Sequence, residues 1–210
     1  MEEIMKGKFI TFEGSEGSGK STHAKLLKAY LRKKGFAVEL IREPGGTKIS
    51  EKIRQVILDP KYNSMTDICE TLLYMAARVQ IVKEVIKPAL KKGKIVICDR
   101  FLDSTIVYQG YGGGINLDLI KKLGKLATLG IKPDLTFLLD IETREGLRRA
   151  GKIKDRIELK SLDYHRRVRK GYLTLSKKEP SRIKIVSVEK NNKQENQEII
   201  RKYADRLLCR

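Results

Sequence analysis

The stretch KFITFEGSEGSGKST, residues 8–22, joins a short apolar segment to a glycine-rich loop. Residues 14–21 have the spacing G-x-x-x-x-G-K-S/T, in which glycines let successive backbone N–H groups curl around phosphate oxygens. Lys20 adds a positive charge for the β- and γ-phosphates, and Ser21 offers a hydroxyl to Mg²⁺. A helix that begins near Lys20 directs the positive end of its dipole at the same anion. The stretch therefore predicts a strand, a loop and a helix that bind a nucleoside triphosphate; a glycine-rich turn without a ligand is the alternative.

The rest of the chain alternates short β-branched runs with helix-like segments. This alternation is typical of a parallel sheet wrapped by helices on both faces. No repeat or flexible linker interrupts it, so we expect a single domain over residues 1–210. Together with the phosphate-binding spacing of residues 14–21, this pattern resembles the three-layer α/β fold of P-loop NTPases, with a five-stranded sheet. Ligands of such sheets collect at the carboxyl ends of the strands. Candidate strands occupy 8–12, 37–42, 94–98, 134–141 and 183–188, and candidate helices occupy 20–34, 49–58, 66–92, 117–129, 143–150, 156–177 and 194–208.

The chain is strongly basic, with 45 Lys and Arg against 26 Asp and Glu and a net charge of +19. Such a surface attracts polyanions, so nucleic acid is one candidate partner and a polyphosphate substrate is the other. The basic residues are dispersed rather than clustered, and aromatic residues make up only 6% of the chain, with no Trp. A base-stacking platform needs more aromatic side chains than this. We therefore expect no nucleic acid as the physiological partner.

Other classes of protein are disfavoured by composition. No window of about 18 apolar residues is present, so we expect no membrane span. The N-terminal residues lead straight into the first candidate strand, so we expect no signal peptide. Cys69, Cys98 and Cys209 are widely separated, which favours reduced thiols in the cytoplasm over disulfides or a zinc site. His23 and His165 are isolated, without metal-ligand spacing around them.

A second group of candidate residues follows the strand 94–98. Asp99 is similar to the carboxylate of a Walker B element, which holds Mg²⁺ directly or through water. Arg100 beside it is suited to a bidentate phosphate contact. The alternative is that Asp99 caps the next helix and Arg100 is solvated. Residues 103–110, expected to form a loop, carry an unusual density of hydrogen-bonding side chains, which indicates either a ligand site or a buried polar network.

Two further stretches offer recognition chemistry. Tyr74 and Arg78 lie one helical turn apart on the same predicted helix face. A ring beside a guanidinium suits a planar base, held by its face and its carbonyl edge. The alternative is a core aromatic residue and a surface arginine. Residues 42–47 form a strand end and a tight turn, with Arg54 on the following helix, and present either a phosphate clamp or a plain turn.

The segment 147–156 places five Lys and Arg residues around Gly151. A mobile basic segment that closes over a triphosphate would stabilise charge on the transferring phosphoryl group and expel water. It would then act as an arginine finger supplied within the same chain. A solvated helix end explains the same composition, because Lys and Arg interact favourably with the helix dipole there.

Taken in order, these motifs resemble the thymidylate kinase family of P-loop nucleoside-monophosphate kinases. The resemblance covers about the first 160 residues and extends to the tail only in pattern. One departure is Phe101, because the family usually has Tyr or His after the Asp-Arg pair. The matching stretches are FEGSEGSGKST at 12–22, REPGGT at 42–47, AARVQ at 76–80, IKPAL at 86–90, DR at 99–100 with ST at 104–105 and YQG at 108–110, KPDL at 132–135 and DRIE at 155–158.

The resemblance implies transfer of the γ-phosphoryl group of ATP to dTMP, giving ADP and dTDP, with Mg²⁺ as the cofactor, in dTTP synthesis. It implies Lys20, Arg100 and Arg149 as catalytic residues, the last in a basic lid near 148–156 of the bacterial type. Arg148 and Lys152 are the alternatives to Arg149. The implied ATP-binding residues form one run: Gly14, Ser15, Glu16, Gly17, Ser18, Gly19, Lys20, Ser21 and Thr22.

The resemblance also assigns the metal and the acceptor nucleotide. It implies that Ser21 and Asp99 hold the metal. Tyr74 is implied to stack on thymine, Arg78 to read its carbonyl edge, and Tyr108 to lie against the sugar and select deoxyribose. The implied dTMP-binding residues are Glu16 near the 3′-hydroxyl, Arg54 and Arg100 on the phosphate, Tyr74, Arg78, Ser104, Tyr108 and Gln109. The resemblance favours a homodimer as well. The predicted helix 66–92 is a candidate dimer face, and the alternative is that its apolar residues serve the core.

Three competing functions share parts of this pattern. A kinase for dUMP or another small acceptor would use the same phosphate-binding residues. A nucleic-acid-binding ATPase would use the +19 surface as its main platform. A regulatory nucleotide-binding protein would bind ATP without transferring a phosphoryl group, which leaves Arg100 and the basic segment 147–156 without a purpose.

Overall fold

The structure is a computed structural model that describes residues 7–151, 155–189 and 191–209. Its centre is a five-stranded sheet with the order β2-β3-β1-β4-β5, in which every neighbouring pair is parallel. The predicted α/β class with a five-stranded parallel sheet is therefore confirmed. The strands are β1 Lys8–Glu13, β2 Val38–Arg42, β3 Ile95–Asp99, β4 Leu135–Asp140 and β5 Ile183–Ser187.

Helices connect the strands and cover both faces of the sheet. Two of the connections contain a wider, π-helical segment, at Val82–Ile86 and Ile106–Gly112. The α-helices are α1 Lys20–Lys33, α2 Lys48–Leu58, α3 Asp67–Ile81, α4 Lys87–Lys91, α5 Leu102–Thr105, α6 Leu117–Ala127, α7 Thr143–Ala150, α8 Leu162–Lys178 and α9 Lys193–Leu208.

The side chains of β1 point alternately to the two covered faces. Ile10 and Phe12 pack with residues of α1 and α9 in one fully buried core. Phe9 packs on the other face, with Val96 and the helical run 81–90. Because both faces are buried, the strands are apolar runs rather than alternating ones, as is typical of parallel sheets.

The strand register brings the ends of three strands to one edge. Asp99 at the end of β3 lies opposite both Phe12 of β1 and Arg42 of β2. Glu13, the next residue of β1, lies opposite Leu138 of β4. The carboxyl edge of the sheet therefore collects an aspartate, a glutamate and an arginine beside the loop that begins at Gly14, which is where ligands of such sheets bind.

One predicted element is wrong at its start, and another is wrong in type. The predicted helix 156–177 begins only at Leu162, where the Ser161 side chain accepts a hydrogen bond from the Tyr164 amide. Before it, the Asp155 carboxylate accepts from the amides of Ile157 and Glu158, each at 2.9 Å, which holds a turn in place of a helix.

Residues 103–110, predicted as a loop, are helical within α5 and the Ile106–Gly112 segment. Their polar side chains therefore project from one short, buried helical element. The predicted helix 66–92 is nearly continuous, but Val82–Ile86 interrupts its regular α-helical turns.

Among the described residues, no helix is both long and apolar enough to cross a membrane.

The core that contains Phe137 of β4 and Phe12 of β1 is expected to contribute strongly to the free energy of unfolding. Phe137 is fully buried and its ring lies 5.3 Å from that of Phe12. Phe137→Ala should lower the free energy of unfolding by about 3–5 kcal/mol, because the lost contacts leave a cavity. Phe36, with 38% of its surface exposed, provides the matched substitution. Phe36→Ala should cost roughly 1 kcal/mol by urea denaturation, and similar costs for the two would contradict this assignment of the core.

Candidate active site

The glycine-rich loop folds tightly at the start of α1. Gly17 and Gly19 have φ of 66° and 84°, left-handed conformations that favour glycine. Lys20 is buried, and its Nζ donates to the Ser15 carbonyl oxygen at 2.7 Å and to Ser18 Oγ at 3.3 Å. Burial, followed by repulsion from Arg100, lowers the pKa of Lys20 to about 8. The loop thus concentrates positive charge and inward-facing polar groups in a small volume.

Helix α7 packs directly against this loop. A Cβ on Gly17 would lie 2.1 Å from the Gly146 carbonyl oxygen and 2.9 Å from Arg149 Cβ, and one on Gly146 would lie 2.6 Å from the Glu16 carbonyl oxygen. The Cβ atom of Arg149 therefore lies beside the loop. Its guanidinium, like that of Arg148, pairs with Glu145, and the two arginines lower the pKa of Glu145 to about 2.

The predicted lid is only partly covered by the structure. Lys152, one of the alternatives to Arg149, lies outside the described residues. Arg156 is not a solvated cation: it is buried, and its Nε and a terminal nitrogen donate to the Ile57 carbonyl oxygen at 2.8 Å and to Glu70 at 2.5 Å. The basic segment is therefore anchored at its C-terminal end.

The predicted metal residues meet at the edge of the sheet. Ser21 Oγ donates a hydrogen bond to the Asp99 carboxylate, which joins the start of α1 to the end of β3. A hydroxyl and a carboxylate are the hard oxygen donors that Mg²⁺ prefers, so the residues present fit the ion. In the described ranges they do not join a larger cluster of Asp, Glu, His or Cys that would hold a metal alone. Such a site suits an ion that is bound largely through nucleotide phosphates.

A cavity of about 290 Å³ adjoins the loop and collects most of the predicted site residues. Of the residues expected to bind metal or nucleotide, those that line it are Glu16, Gly17, Lys20, Ser21, Arg54, Tyr74, Arg78, Asp99, Arg100, Ser104, Tyr108 and Gln109. The predicted residues outside its lining are Gly14, Ser15, Ser18, Gly19, Thr22 and Arg149. The cavity wall also contains part of the candidate phosphate clamp 42–47, namely Arg42, Glu43 and Pro44. The lining residues that were not predicted as site residues are Leu58, Thr105, Asp155, Ile157 and Glu158.

Arg100 lies across the floor of this cavity, in a left-handed backbone conformation with φ of 69°. Its guanidinium donates to the Gly14 carbonyl oxygen at 2.9 Å and to Glu16 Oε1 at 3.1 Å, and lies 4.9 Å from the centre of the Tyr108 ring. The alternative of a solvated arginine is therefore wrong. A non-glycine residue with positive φ at such a place is typical of functional sites.

Glu13 holds the turn that carries Arg100. Its carboxylate is buried and accepts hydrogen bonds from the Phe101 amide at 2.8 Å, Ser104 Oγ at 2.6 Å and the Tyr172 hydroxyl at 2.8 Å. Burial, followed by the negative charge of Asp103, raises the pKa of Glu13 to about 7. The side chain of Phe101 itself lies in the core, edge-on to Phe9, and is not part of the cavity lining.

Glu16 is the negative centre of the cavity. Its Oε1 accepts from the Tyr108 hydroxyl at 2.6 Å, and its Oε2 lies 3.5 Å from Nδ1 of the buried His165. Burial alone raises the pKa of Glu16, but His165, Arg100 and Lys20 outweigh it and lower the pKa to about 2. Glu16 is therefore an ionised acceptor at neutral pH.

The remaining predicted acceptor residues form the far wall. Arg78 is buried, and donates to Glu43 at 2.7 Å, Thr105 Oγ1 at 3.0 Å and the Phe101 carbonyl oxygen at 3.1 Å. It is thus not the surface arginine of the alternative interpretation. Arg54 donates to the Pro44 carbonyl oxygen at 3.0 Å. Burial raises the pKa of the Tyr74 hydroxyl, which keeps that side chain neutral.

Four buried residues that support the site were missed by sequence reasoning: Glu13, Glu70, His165 and Tyr172. Glu13 directly precedes the loop, within residues 8–22, and a carboxylate at a strand end was the available signal. The others had no local signal, because each acts on a residue far away in the chain. Tyr172 contacts Glu13 across 159 positions, and Gln109 contacts Glu70 across 39.

Comparison with known proteins identifies the family. A sequence model described as thymidylate kinase matches residues 12–200. The chain belongs to the thymidylate kinase family.

Individual relatives agree with this assignment. A thymidylate kinase of Thermoanaerobacter sp. (strain X514) is 48% identical over 183 residues, covering 87% of this chain and 90% of the relative. A thymidylate kinase of Geotalea daltonii is 52% identical over 189 residues, covering 86% and 88%. The crystal structure of thymidylate kinase from Ehrlichia chaffeensis has a TM-score of 0.75 and 37% identity, covering 93% of this chain and 97% of that one. The predicted P-loop fold is confirmed.

Because α7 packs closely on the glycine-rich loop, a larger residue at Gly146 is expected to weaken ATP binding. Gly146→Ala should raise the KM for ATP about 10-fold in a steady-state assay, because the added methyl group meets the backbone of the loop at Glu16. Gly35→Ala is the control, since a Cβ there meets nothing within 4 Å although its φ is 87°. It should lower stability and leave the KM for ATP unchanged. An unchanged KM in Gly146→Ala would contradict the predicted coupling of α7 to ATP binding.

Proposed function

We propose that this chain transfers the γ-phosphoryl group of ATP to dTMP, giving ADP and dTDP. The observation that supports it best is the single cavity in which the phosphate loop meets the predicted acceptor residues. Lys20 and Ser21 enter it from the loop and α1, Arg100 from the end of β3, and Tyr74 from α3. Two anionic nucleotides bound from opposite sides would present their phosphates to each other between these cations.

The donor end of the cavity suits a triphosphate. The backbone of the loop and Lys20 would bind its phosphates, and the N-terminal end of α1 adds the favourable helix dipole. Ser21 and Asp99 would hold Mg²⁺. When bound, that ion supplies charge neutralisation between the β- and γ-phosphate oxygens.

The acceptor end suits a pyrimidine deoxynucleotide. Tyr74 would stack on the base, and Arg78 and Gln109 would contact its edge. Tyr108 would lie against the sugar and disfavour a 2′-hydroxyl, and its hydrogen bond to Glu16 restrains the ring. Arg54, Arg100 and Ser104 would bind the phosphate, and Glu16 would accept a hydrogen bond from the 3′-hydroxyl.

Catalysis then rests on positioning and charge. Lys20 and Arg100 would neutralise charge on the transferring group, and fixed donors in a water-poor site do this without reorganising. Arg149, whose Cβ atom lies beside Gly17, would supply a third cation if its guanidinium left Glu145 and bound the nucleotide. A mobile lid over residues 148–156 remains a prediction, as does the choice of Arg149 over its neighbours.

A panel of nucleoside monophosphates tests the proposed function. Purified protein with ATP and Mg²⁺ should convert dTMP to dTDP much faster than dCMP, dGMP or the ribose counterpart of dTMP. Preferred turnover of dUMP would shift the function to the first competitor. ATP hydrolysis stimulated by DNA, with steep salt dependence, would favour the nucleic-acid-binding ATPase. Binding of ATP without turnover of any acceptor would favour a regulatory protein.

Lys20→Ala is expected to separate catalysis from acceptor binding. Turnover of dTMP should fall about 10²–10³-fold, because a preorganised cation at the transferring phosphoryl group is lost. The dissociation constant of dTMP, measured by calorimetry, should change little. Near-normal turnover in this variant would rule out the central role of the loop.

The proposal includes a homodimer whose interface is formed by α3. Location in the cytoplasm remains a prediction. Ile68, Leu72 and Val79 are exposed and share one face of α3, and the adjoining α2 exposes Ile49 and Val56 on one face as well. Contiguous exposed apolar residues of this kind mark protein interfaces. The predicted helix face therefore has unpartnered apolar side chains of the right type.

Leu72→Glu should convert a dimer to a monomer in sedimentation equilibrium, because a charge would be buried without a partner. Leu72 is 49% exposed in the single chain, and Ile185, on β5, is 48% exposed. Ile185→Glu is therefore the matched control and should leave the dimer intact. A monomeric wild-type protein, or a dimer that survives Leu72→Glu, would contradict this interface.

A further inference from the structure

Glu70 is a fully buried carboxylate that the proposed chemistry does not use. It lies near the start of α3, behind the wall of the cavity, with none of its surface exposed. Its Oε1 accepts from Nε2 of Gln109 at 2.7 Å. Its Oε2 accepts from Arg156 at 2.5 Å, and Lys160 Nζ lies 3.2 Å away.

This contact decides which way the Gln109 amide points. A side-chain amide has one donor end and one acceptor end, whereas a carboxylate only accepts hydrogen bonds. Glu70 can therefore bind only the NH₂ group of Gln109. Gln109 is itself almost fully buried and lines the cavity, so its amide oxygen is the end directed away from Glu70.

The orientation matters because thymine and cytosine differ at two neighbouring positions of this edge, N3 and the group on C4. Thymine and uracil carry an N3–H donor between two carbonyl groups, whereas cytosine carries a bare N3 acceptor beside an amino group. An amide oxygen pairs with N3–H and faces a lone pair in cytosine. Sites built to hydrogen-bond a substrate group reject analogues that lack it, because buried polar groups are then unpaired.

We propose that Glu70 is a positioning residue that fixes the Gln109 amide with its oxygen toward the acceptor base, and thereby selects bases with an N3–H over cytosine. The proposal rests on the proposed dTMP-binding function. The same carboxylate pairs with Arg156 and so connects that residue to α3. Arg156 also donates to the Ile57 carbonyl oxygen. A purely structural anchor is therefore the competing role, and the experiment must separate the two.

Glu70→Gln is the test, because a glutamine side chain can donate as well as accept and so releases the Gln109 amide to rotate. The ratio of kcat/KM for dTMP over dCMP should fall about 10-fold, mainly through KM. The ratio for dTMP over dUMP should not change, because the two bases share the same hydrogen-bonding edge. Unchanged ratios would overturn the proposal, and an equal loss of kcat/KM for all three nucleotides would then show that Glu70 is only a structural anchor.

The chain contains a matched control. Glu84 accepts from Nε2 of Gln80 at 2.7 Å on the same helical run, but this pair is on the surface. Glu84→Gln should leave every ratio unchanged. An equal change in the dTMP over dCMP ratio in this variant would contradict a site-specific role for Glu70.

Gln109→Met keeps the proposal testable if Glu70→Gln fails to fold, since it leaves the Glu70–Arg156 pair intact. It should lower the dTMP over dCMP ratio by a similar factor, and Glu70→Gln should then add nothing to it. A Gln109→Met variant with normal discrimination would overturn the proposal.

Calorimetric binding of the three monophosphates separates this proposal from the proposed function. Wild-type protein that binds dTMP and dUMP in preference to dCMP, but phosphorylates none of them, would contradict the kinase function alone. Loss of that binding preference in Glu70→Gln would still support the role of Glu70. Wild-type protein that binds all three equally would overturn the role of Glu70 whatever its activity.

Discussion

The site depends on the contact between the buried Glu13 carboxylate and the turn after β3. Parallel pairing places Phe12 opposite Asp99. The residues that follow them, Glu13 and Arg100, therefore lie at the same edge of the sheet. Glu13 accepts the Phe101 amide there, which stabilises Arg100 in a left-handed conformation that an L-residue rarely adopts. The Arg100 side chain then reaches the Gly14 carbonyl oxygen, Glu16 and the ring of Tyr108.

Charge balance makes this arrangement tolerable in a buried place. Arg100 pairs with Glu16, the charge of Lys20 helps to lower the pKa of Glu16, and Arg100 helps to lower the pKa of Lys20. Isolated buried charges are expensive, whereas paired and hydrogen-bonded ones are not prohibitive. The depressed pKa of Lys20, about 8, reflects burial and repulsion by Arg100, and a polyanion bound beside it would relieve that repulsion. The same charges that strain the free site thus favour nucleotide binding.

A second layer of buried polar residues connects the cavity to the segment beyond it. Glu70 joins Gln109 to Arg156, and Arg156 is bound in turn to the end of α2 through Ile57. The acceptor wall and the C-terminal end of the basic segment therefore share one hydrogen-bonded network. Networks of this kind fix side-chain orientation when every member is satisfied, which is the condition for selecting among similar bases.

The sequence by itself determined the parts that depend on local rules. Residues 14–21 require glycine at left-handed positions, the apolar runs require burial on both faces, and Asp99-Arg100 follows a strand. These features predicted the sheet, the loop and the phosphate and metal residues beside it, whereas the resemblance to the thymidylate kinase family predicted the other site residues of the cavity lining. The wrong predictions were also local. The hydrogen bonds of Asp155 and Ser161 hold a turn and a helix cap where the first turns of a helix were predicted. Residues 103–110 are helical because packing outweighed their polar composition. Only the tertiary structure decided the partners of Glu13, Glu70 and His165, because contacts between distant residues depend on strand register and helix packing, which no local spacing encodes.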